Sequence, residues 1–290
     1  MRASYFFWIG ARLTLIGALG ASITTHEPPA ARPADTVAVS PDPEIATGFL
    51  NKSIEVGGAT YRYVVYVPRG YVGRDDAAHA GRRRTKPDDV NAKGWPCITF
   101  LHGGGECGTD GLKQIAQGLG SAIQWNESEW PFIVIFPQKP DGAKPWEDYD
   151  TAVMAMLAAA KAEYAIDSRR LYLTGLSQGG HGTWYIAANH PDVFAAIAPI
   201  CGYIPFANTG EPDEWHAGEL ARKLGKLPQR IFHGLDDNVV APEHSKAVVT
   251  ALRAAGAGPE ATFYPRVNHN SWDRAYREEK LAEWFLKHKR

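Results

Sequence analysis

The sequence predicts an α/β fold: a central, mostly parallel sheet with helices on both faces, preceded by an antiparallel N-terminal hairpin. Three observations carry this prediction. Two apolar runs, Ile98-Thr99-Phe100-Leu101 and Phe132-Ile133-Val134-Ile135-Phe136, do not alternate with polar residues, as expected of strands buried on both faces. Segments of helical period separate such runs, so strands and helices alternate along the chain. Ser53 to Val56 and Tyr61 to Val67, rich in β-branched and aromatic residues, flank Gly57-Gly58 and read as the hairpin.

Taken in order, the chain opens with Arg2 and a largely apolar run containing Leu13, Leu15, Ile16, Ala18 and Leu19. The run ends in Gly20-Ala21-Ser22, the small-residue pattern of a secretory cleavage zone, so residues 1–22 are expected to be a signal peptide and the mature protein secreted or periplasmic. Arg12 interrupts the run and argues against a membrane anchor. Residues 23–50, rich in Pro and Ala, read as a disordered leader, and 51–290 as one folded domain. Gly73 to Gly94 is polar and aperiodic, with Arg82, Arg83 and Arg84 beside several Asp, and reads as a surface insertion. A helix is expected from Asp150 to Tyr164, with Val153, Met154, Met156, Leu157 and Ala160 at helical spacing. A strand Leu171–Thr174 follows, then a helix Gln178–Asn189 that stops before Pro191, and strands at Phe194–Ile197 and Arg230–His233. An amphipathic helix His244–Ala255 ends at Gly256, Thr262–Tyr264 closes the sheet, and Lys280–Lys287 forms a last helix.

Bulk properties exclude several functions. The 290 residues exceed a common domain, yet large α/β units run to about 250 residues as one body. Lys plus Arg (31) balances Asp plus Glu (32), so no global field recommends a nucleic acid or an anionic membrane as partner. Cys97, Cys107 and Cys201 cannot all pair, and no CxxC or Cys/His metal spacing exists. Cys97 opens a strand as a buried thiol. Cys107 and Cys201 follow strands near the expected active edge, where a disulfide is conceivable but free thiols are favoured.

Chemistry concentrates in Gly175-Leu176-Ser177-Gln178-Gly179-Gly180, between the strand from Leu171 and a helix. A nucleophile elbow requires that context: Ser177 sits on a tight strand-to-helix turn while Gly175 and Gly179 admit close backbone approach. The helix N-terminus also favours developing negative charge. Acyl transfer needs backbone N–H groups aimed at the oxyanion; Gln178, after the nucleophile, and Gly104, in Leu101-His102-Gly103-Gly104-Gly105, are the candidates.

Elbow hydrolases run serine, acid, histidine in chain order. His102 precedes Ser177 and is therefore expected to brace its loop. Of the later histidines, His181, His190, His244 and His288 fall in or at the ends of helices, and His233 ends a strand as a packed residue. His269, in Arg266-Val267-Asn268-His269-Asn270-Ser271-Trp272, lies on the loop between the last strand and the final helix, where a general base belongs. The orienting acid must come from the loop after His233, where Asp236 and Asp237 both qualify.

These motifs, with Tyr63-Val64-Val65-Tyr66-Val67-Pro68, Tyr164-Ala165-Ile166-Asp167 and Phe232-His233-Gly234, make the chain from about Tyr61 onward resemble a bacterial group of α/β-hydrolases called predicted peptidases. It is similar to feruloyl esterases, polyhydroxybutyrate depolymerases and other carboxylesterases. The resemblance implies the α/β-hydrolase fold and aligns Ser177, Asp237 and His269 with the family's triad, preferring Asp237 to Asp236. It departs at Cys107, where the family usually has arginine, and at Asn238, where a proline commonly follows the acid.

A carboxylic ester hydrolase with no metal or organic cofactor is thus expected. Its partner would be a small-molecule or polysaccharide-linked ester, with no nucleic acid and no stable membrane partner. Trp146, Trp215 and Trp272, with Tyr203 and Phe206, sit on loops at the carboxyl ends of strands, and the tryptophans are candidates for stacking on substrate. Two rivals stand beside it. One is a serine peptidase of the prolyl-oligopeptidase kind, against which the short stretch before the first core strand leaves no room for a gating propeller. The other is an inactive binding module on a hydrolase scaffold.

Overall fold

Eight strands form one sheet in the computed structural model, which describes residues 46–73, 94–206 and 210–290. The expected signal peptide, most of the expected leader and nearly all of the 73–94 insertion lie outside the described residues. The strands are β1 (Gly48–Val56), β2 (Ala59–Val67), β3 (Trp95–Leu101), β4 (Ile133–Pro137), β5 (Ile166–Leu176), β6 (Ala196–Ile200), β7 (Arg230–Gly234) and β8 (Glu260–Tyr264). Their order across the sheet is β1-β2-β4-β3-β5-β6-β7-β8. The β1–β2 and β2–β4 pairs are antiparallel; all pairs from β4–β3 to β7–β8 are parallel.

Burial explains the sequence pattern. Every residue of β3, β4 and β6 is buried, so these central strands carry apolar side chains on both faces. In β1 half-buried and exposed residues alternate over Leu50–Val56, as suits an edge strand with one wet face. The covering helices are α1 (Leu119–Trp125), α2 (Asp150–Glu163), α3 (Gln178–Asn189), α4 (Glu214–Leu224), α5 (Glu243–Ala254), α6 (Trp272–Arg277) and α7 (Leu281–Leu286). Met156 and Leu157 of α2, Trp184 of α3, Leu220 of α4 and Val248 of α5 pack on one face with Leu173 and Ile231. Ile123 of α1, Tyr276 of α6 and Phe285 of α7 pack on the other with Phe100, Phe136 and Tyr172.

Several elements differ from the sequence reading: β5 begins at Ile166 instead of Leu171, and α1 and α6, like α4, have no expected counterpart. β1 begins at Gly48, so residues 48–50 belong to the sheet and not to a leader. β6 occupies Ala196–Ile200 instead of Phe194–Ile197 because the apolar run is longer than a strand; Phe194 is buried on the approach to it. Helix α4 has no counterpart among the expected elements. Its buried stripe, Ala217, Leu220, Ala221 and Leu224, has the i, i+3, i+4, i+7 spacing of an amphipathic helix, a signal present in the sequence, and its start is fixed by Asp213, whose carboxylate accepts the His216 N–H at 3.1 Å.

Candidate active site

Ser177 stands between β5 and α3 with φ 55° and ψ −117°, backbone angles that side chains other than glycine rarely adopt. Such a conformation costs on the order of 1–3 kcal/mol and persists only where the surroundings hold it. Here the Ser177 N–H donates to the Ile200 carbonyl at 2.9 Å, and the His181 N–H returns to the Ser177 carbonyl at 3.0 Å. A Cβ on Gly179 would lie 1.9 Å from the Leu101 carbonyl oxygen, so the helix can enter against the end of β3 only as glycine.

Two later loops converge on this turn. The acid loop follows β7 and the histidine loop follows β8. A Cβ on Gly234 would lie 2.3 Å from the Val267 carbonyl oxygen, which permits the two loops to touch. The Asp236 N–H donates to Val267 (3.0 Å), and the Asn268 side-chain oxygen accepts both the Asn238 N–H (3.2 Å) and the His269 N–H (2.7 Å). Across this seam His269 Nε2 lies 3.0 Å from Ser177 Oγ, and His269 Nδ1 lies 2.7 Å from Asp237 Oδ2. Ser177 and His269 are half-buried; the Asp237 side chain is fully buried, whereas Asp236 is exposed. The structure therefore brings Asp237, and not Asp236, to the imidazole.

Burial alone would raise the Asp237 carboxyl. The hydrogen bonds it accepts from His233, His269 and the Val240 and Val239 N–H groups outweigh that effect and hold it well below the usual carboxylate range. That favours the carboxylate form, the form a partner for an imidazolium must have.

Around Ser177 the other expected residues fall as follows. Gln178 opens α3, so its backbone N–H is among those without an intrahelical acceptor. Gly104 is exposed beside it, its missing Cβ 3.3 Å from the Gln178 side chain. The neighbouring Gly103 N–H is taken by Glu106 Oε2 at 3.0 Å. His102 braces its loop: its Nε2 accepts the Lys139 N–H (3.0 Å), and its Nδ1 lies 2.6 Å from the Gly103 carbonyl.

The tryptophans correct the sequence reading. Trp146 is 1 % exposed; its Nε1–H donates to the His102 carbonyl at 3.2 Å, and its ring fills the space left by Gly182. Trp272 is also buried, edge-on to His269 with ring centroids 5.4 Å apart. Both support the site from behind instead of offering a stacking face. Trp215, on α4, is exposed.

Lys139 has no signal in the sequence, and His181 and Cys201 take their places around the site. Lys139 is buried, its ammonium donating to Gln178 Oε1 (2.9 Å) and the Asp141 carbonyl (3.0 Å) and lying 5.8 Å from the Trp146 ring centre. Burial lowers its pKa. His181 Nε2 meets Glu147 at 2.9 Å and its Nδ1 the Tyr203 carbonyl at 2.9 Å, which keeps it away from Ser177. All three cysteines are free. Cys201 places its sulfur with an Asp237 oxygen and a His269 nitrogen, all within 4.8 Å. Burial pushes that thiol up, and the Asp237 and His269 atoms of the group are already hydrogen-bonded to each other.

One pH effect arises from His102. Burial pushes its imidazole down to about 4 from 6.5. Between those values the unfolded chain binds a proton that the folded chain refuses, so stability falls as pH drops through the window. The loss from this group is at most about 3 kcal/mol. Urea denaturation at pH 7 and pH 4.5 is expected to show a smaller pH-dependent loss in His102→Gln than in the wild type; equal losses would reject the assignment.

Comparisons with known proteins bear on the fold and on distant relatives. The sequence profile of the prolyl oligopeptidase family matches residues 141–217, the segment that contains Ser177. Feruloyl esterase B of Neurospora crassa is 29% identical over 160 residues, 42% of this chain and 54% of the relative. Poly(3-hydroxyalkanoate) depolymerase C of Paucimonas lemoignei is 30% identical over 188 residues, 53% of this chain and 43% of the relative. The match thus spans about half the length of these curated relatives. The crystal structure of a thermostable esterase superposes with a TM-score of 0.63 at 27% identity, covering 83% of this chain and 63% of that one. By fold the chain is an α/β-hydrolase, distantly similar to feruloyl esterases and a polyhydroxyalkanoate depolymerase.

Proposed function

We propose that this protein is a serine hydrolase that cleaves carboxylic esters through Ser177, His269 and Asp237. The observation that carries the reading is the hydrogen-bonded chain Ser177 Oγ, His269 Nε2, His269 Nδ1, Asp237 Oδ2, with steps of 3.0 and 2.7 Å. His269 takes the Ser177 proton as the oxygen attacks the ester carbonyl, and Asp237 stabilises the imidazolium that forms. The backbone N–H groups of Gln178 and Gly104 hold the oxyanion, each such donor contributing about 3 kcal/mol to lowering the barrier. His269 then protonates the leaving alcohol, and water repeats the sequence on the acyl-enzyme. Feruloyl esters, named for one of the relatives, and short acetyl and aryl esters are the substrate class. The Arg2–Ser22 segment supports export before the enzyme meets them.

A second reading, peptide cleavage, is favoured by one observation, the prolyl oligopeptidase match over residues 141–217. One experiment addresses both. A fluorophosphonate probe is expected to label Ser177, located by peptide mass spectrometry. The unlabelled enzyme is expected to hydrolyse p-nitrophenyl acetate and methyl ferulate but not proline p-nitroanilides. Absence of labelling would reject the triad, and faster cleavage of the anilides would turn the assignment to peptidase.

A further inference from the structure

We propose that His233, held by Ser245, is a positioning residue for the acid of the triad, so that the Asp237 carboxylate serves two imidazoles at once. The proposal rests on the triad reading above. His233 ends β7 and its side chain is fully buried, as is that of Asp237. Its Nε2 lies 3.1 Å from Asp237 Oδ2, the oxygen that His269 Nδ1 approaches to 2.7 Å from the opposite loop. The other oxygen, Oδ1, accepts the N–H groups of Val239 and Val240, each at 2.9 Å. Neither carboxylate oxygen is left free to turn.

The proton inventory of the ring follows from its neighbours. Nε2 faces two acceptors, Asp237 Oδ2 and the Val240 carbonyl at 3.0 Å, so it carries the hydrogen. Nδ1 lies 2.7 Å from Ser245 Oγ on α5 and accepts the hydroxyl proton. Ser245 thereby fixes the tautomer that donates to Asp237. The same logic orients metal-bound histidines from behind; here it acts one step further along a proton-transfer chain. The remaining titratable neighbours are Cys201, after β6, whose thiol burial keeps protonated, and Glu243, at the start of α5, which interacts electrostatically with His233.

A donor on Asp237 has two effects. It aims the oxygen at His269, and it drains charge from that oxygen. Removing it should lower kcat and also strengthen the pull of the carboxylate on the imidazolium. The test compares His233→Leu, His233→Gln and Ser245→Ala on p-nitrophenyl acetate across pH. His233→Leu is expected to lose about 10- to 100-fold in kcat, the size of a hydrogen bond to a charged group, with KM little changed. The acid limb of its kcat/KM profile should move to higher pH. His233→Gln, whose amide can donate to the same oxygen, should recover most of the activity. Ser245→Ala should move the limb the same way with a smaller loss.

A folded His233→Leu enzyme with unchanged kcat and pH profile overturns the proposal, as does a His233→Gln enzyme no better than His233→Leu. Where His233→Leu does not fold, Ser245→Ala decides: a displaced limb supports the role and an unmoved one overturns it. Ser177→Ala serves as the control. If that variant stays active, the triad itself is wrong; if it is inactive while His233→Leu is indifferent, only the positioning role fails.

Discussion

Ser177→Ala is expected to lower kcat on short p-nitrophenyl esters by about 10⁵- to 10⁶-fold, the size of effect that follows when a unit of nucleophile and base loses its nucleophile. The fold should survive. Alanine keeps the Cβ already accommodated at φ 55°, and the hydroxyl's hydrogen bond is the one to half-buried His269. Oxyanion donors on Gln178 and Gly104 do not depend on the hydroxyl, so a weak residual rate above that of water is consistent with the mechanism. Matching circular dichroism and urea midpoints would show that the loss is chemical. A variant with a rate within tenfold of the wild type would remove Ser177 from the reaction.

Gly179→Ala should act on the scaffold instead. A methyl there meets the Leu101 oxygen at 1.9 Å, the Leu101 carbonyl carbon at 2.5 Å and the His102 oxygen at 2.8 Å. All three are backbone atoms, those of Leu101 at the end of β3 and that of His102 held by the Trp146 indole, so no side-chain movement relieves the clash. Either β3 or α3 must shift, which draws the elbow away from the Gly104 loop. The expected cost is about 3 kcal/mol or more, the upper range of overpacking, together with most of the activity. Gly218→Ala is the control. It lies in α4, exposed, with nothing within 4 Å of the new methyl; alanine's higher helix propensity should stabilise it by about 0.5–1 kcal/mol. Urea titrations of the two variants would read opposite signs, and a Gly179→Ala protein as stable as the wild type would refute the close-packed elbow.

The elbow was legible because its signal is local: glycines flank a serine between a strand and a helix. His269 was legible through chain order and its place after the last strand. The choice between Asp236 and Asp237 was not local. It is decided by which carboxylate turns inward to meet His233 and His269, and adjacent residues on a loop carry no period that reveals it; only the resemblance separated them. The tryptophans misled for a related reason. Trp146 is buried by Gly182 and the His102 loop, both remote in sequence, so its indole looked available when read alone. Lys139 left no trace, because its partners are two carbonyls, an amide oxygen and an aromatic face. His233 passed for core because it is core. Its spacing of four from Asp237 was the one hint that the two might meet.

His269 follows β8, the last of the described strands along the chain, and this has a consequence during synthesis. A nascent chain released after α5, which ends at Ala254, holds its nucleophile and its acid but not the group that activates them, and β8 with its ladder to β7 is still missing. On the proposed mechanism such a fragment is expected to be hydrolytically silent. The link between Ala254 and Glu260, where Ala255, Gly256 and Gly258 are exposed, is a place to divide the chain into two pieces that, on the proposed mechanism, are expected to regain turnover only on reassembly.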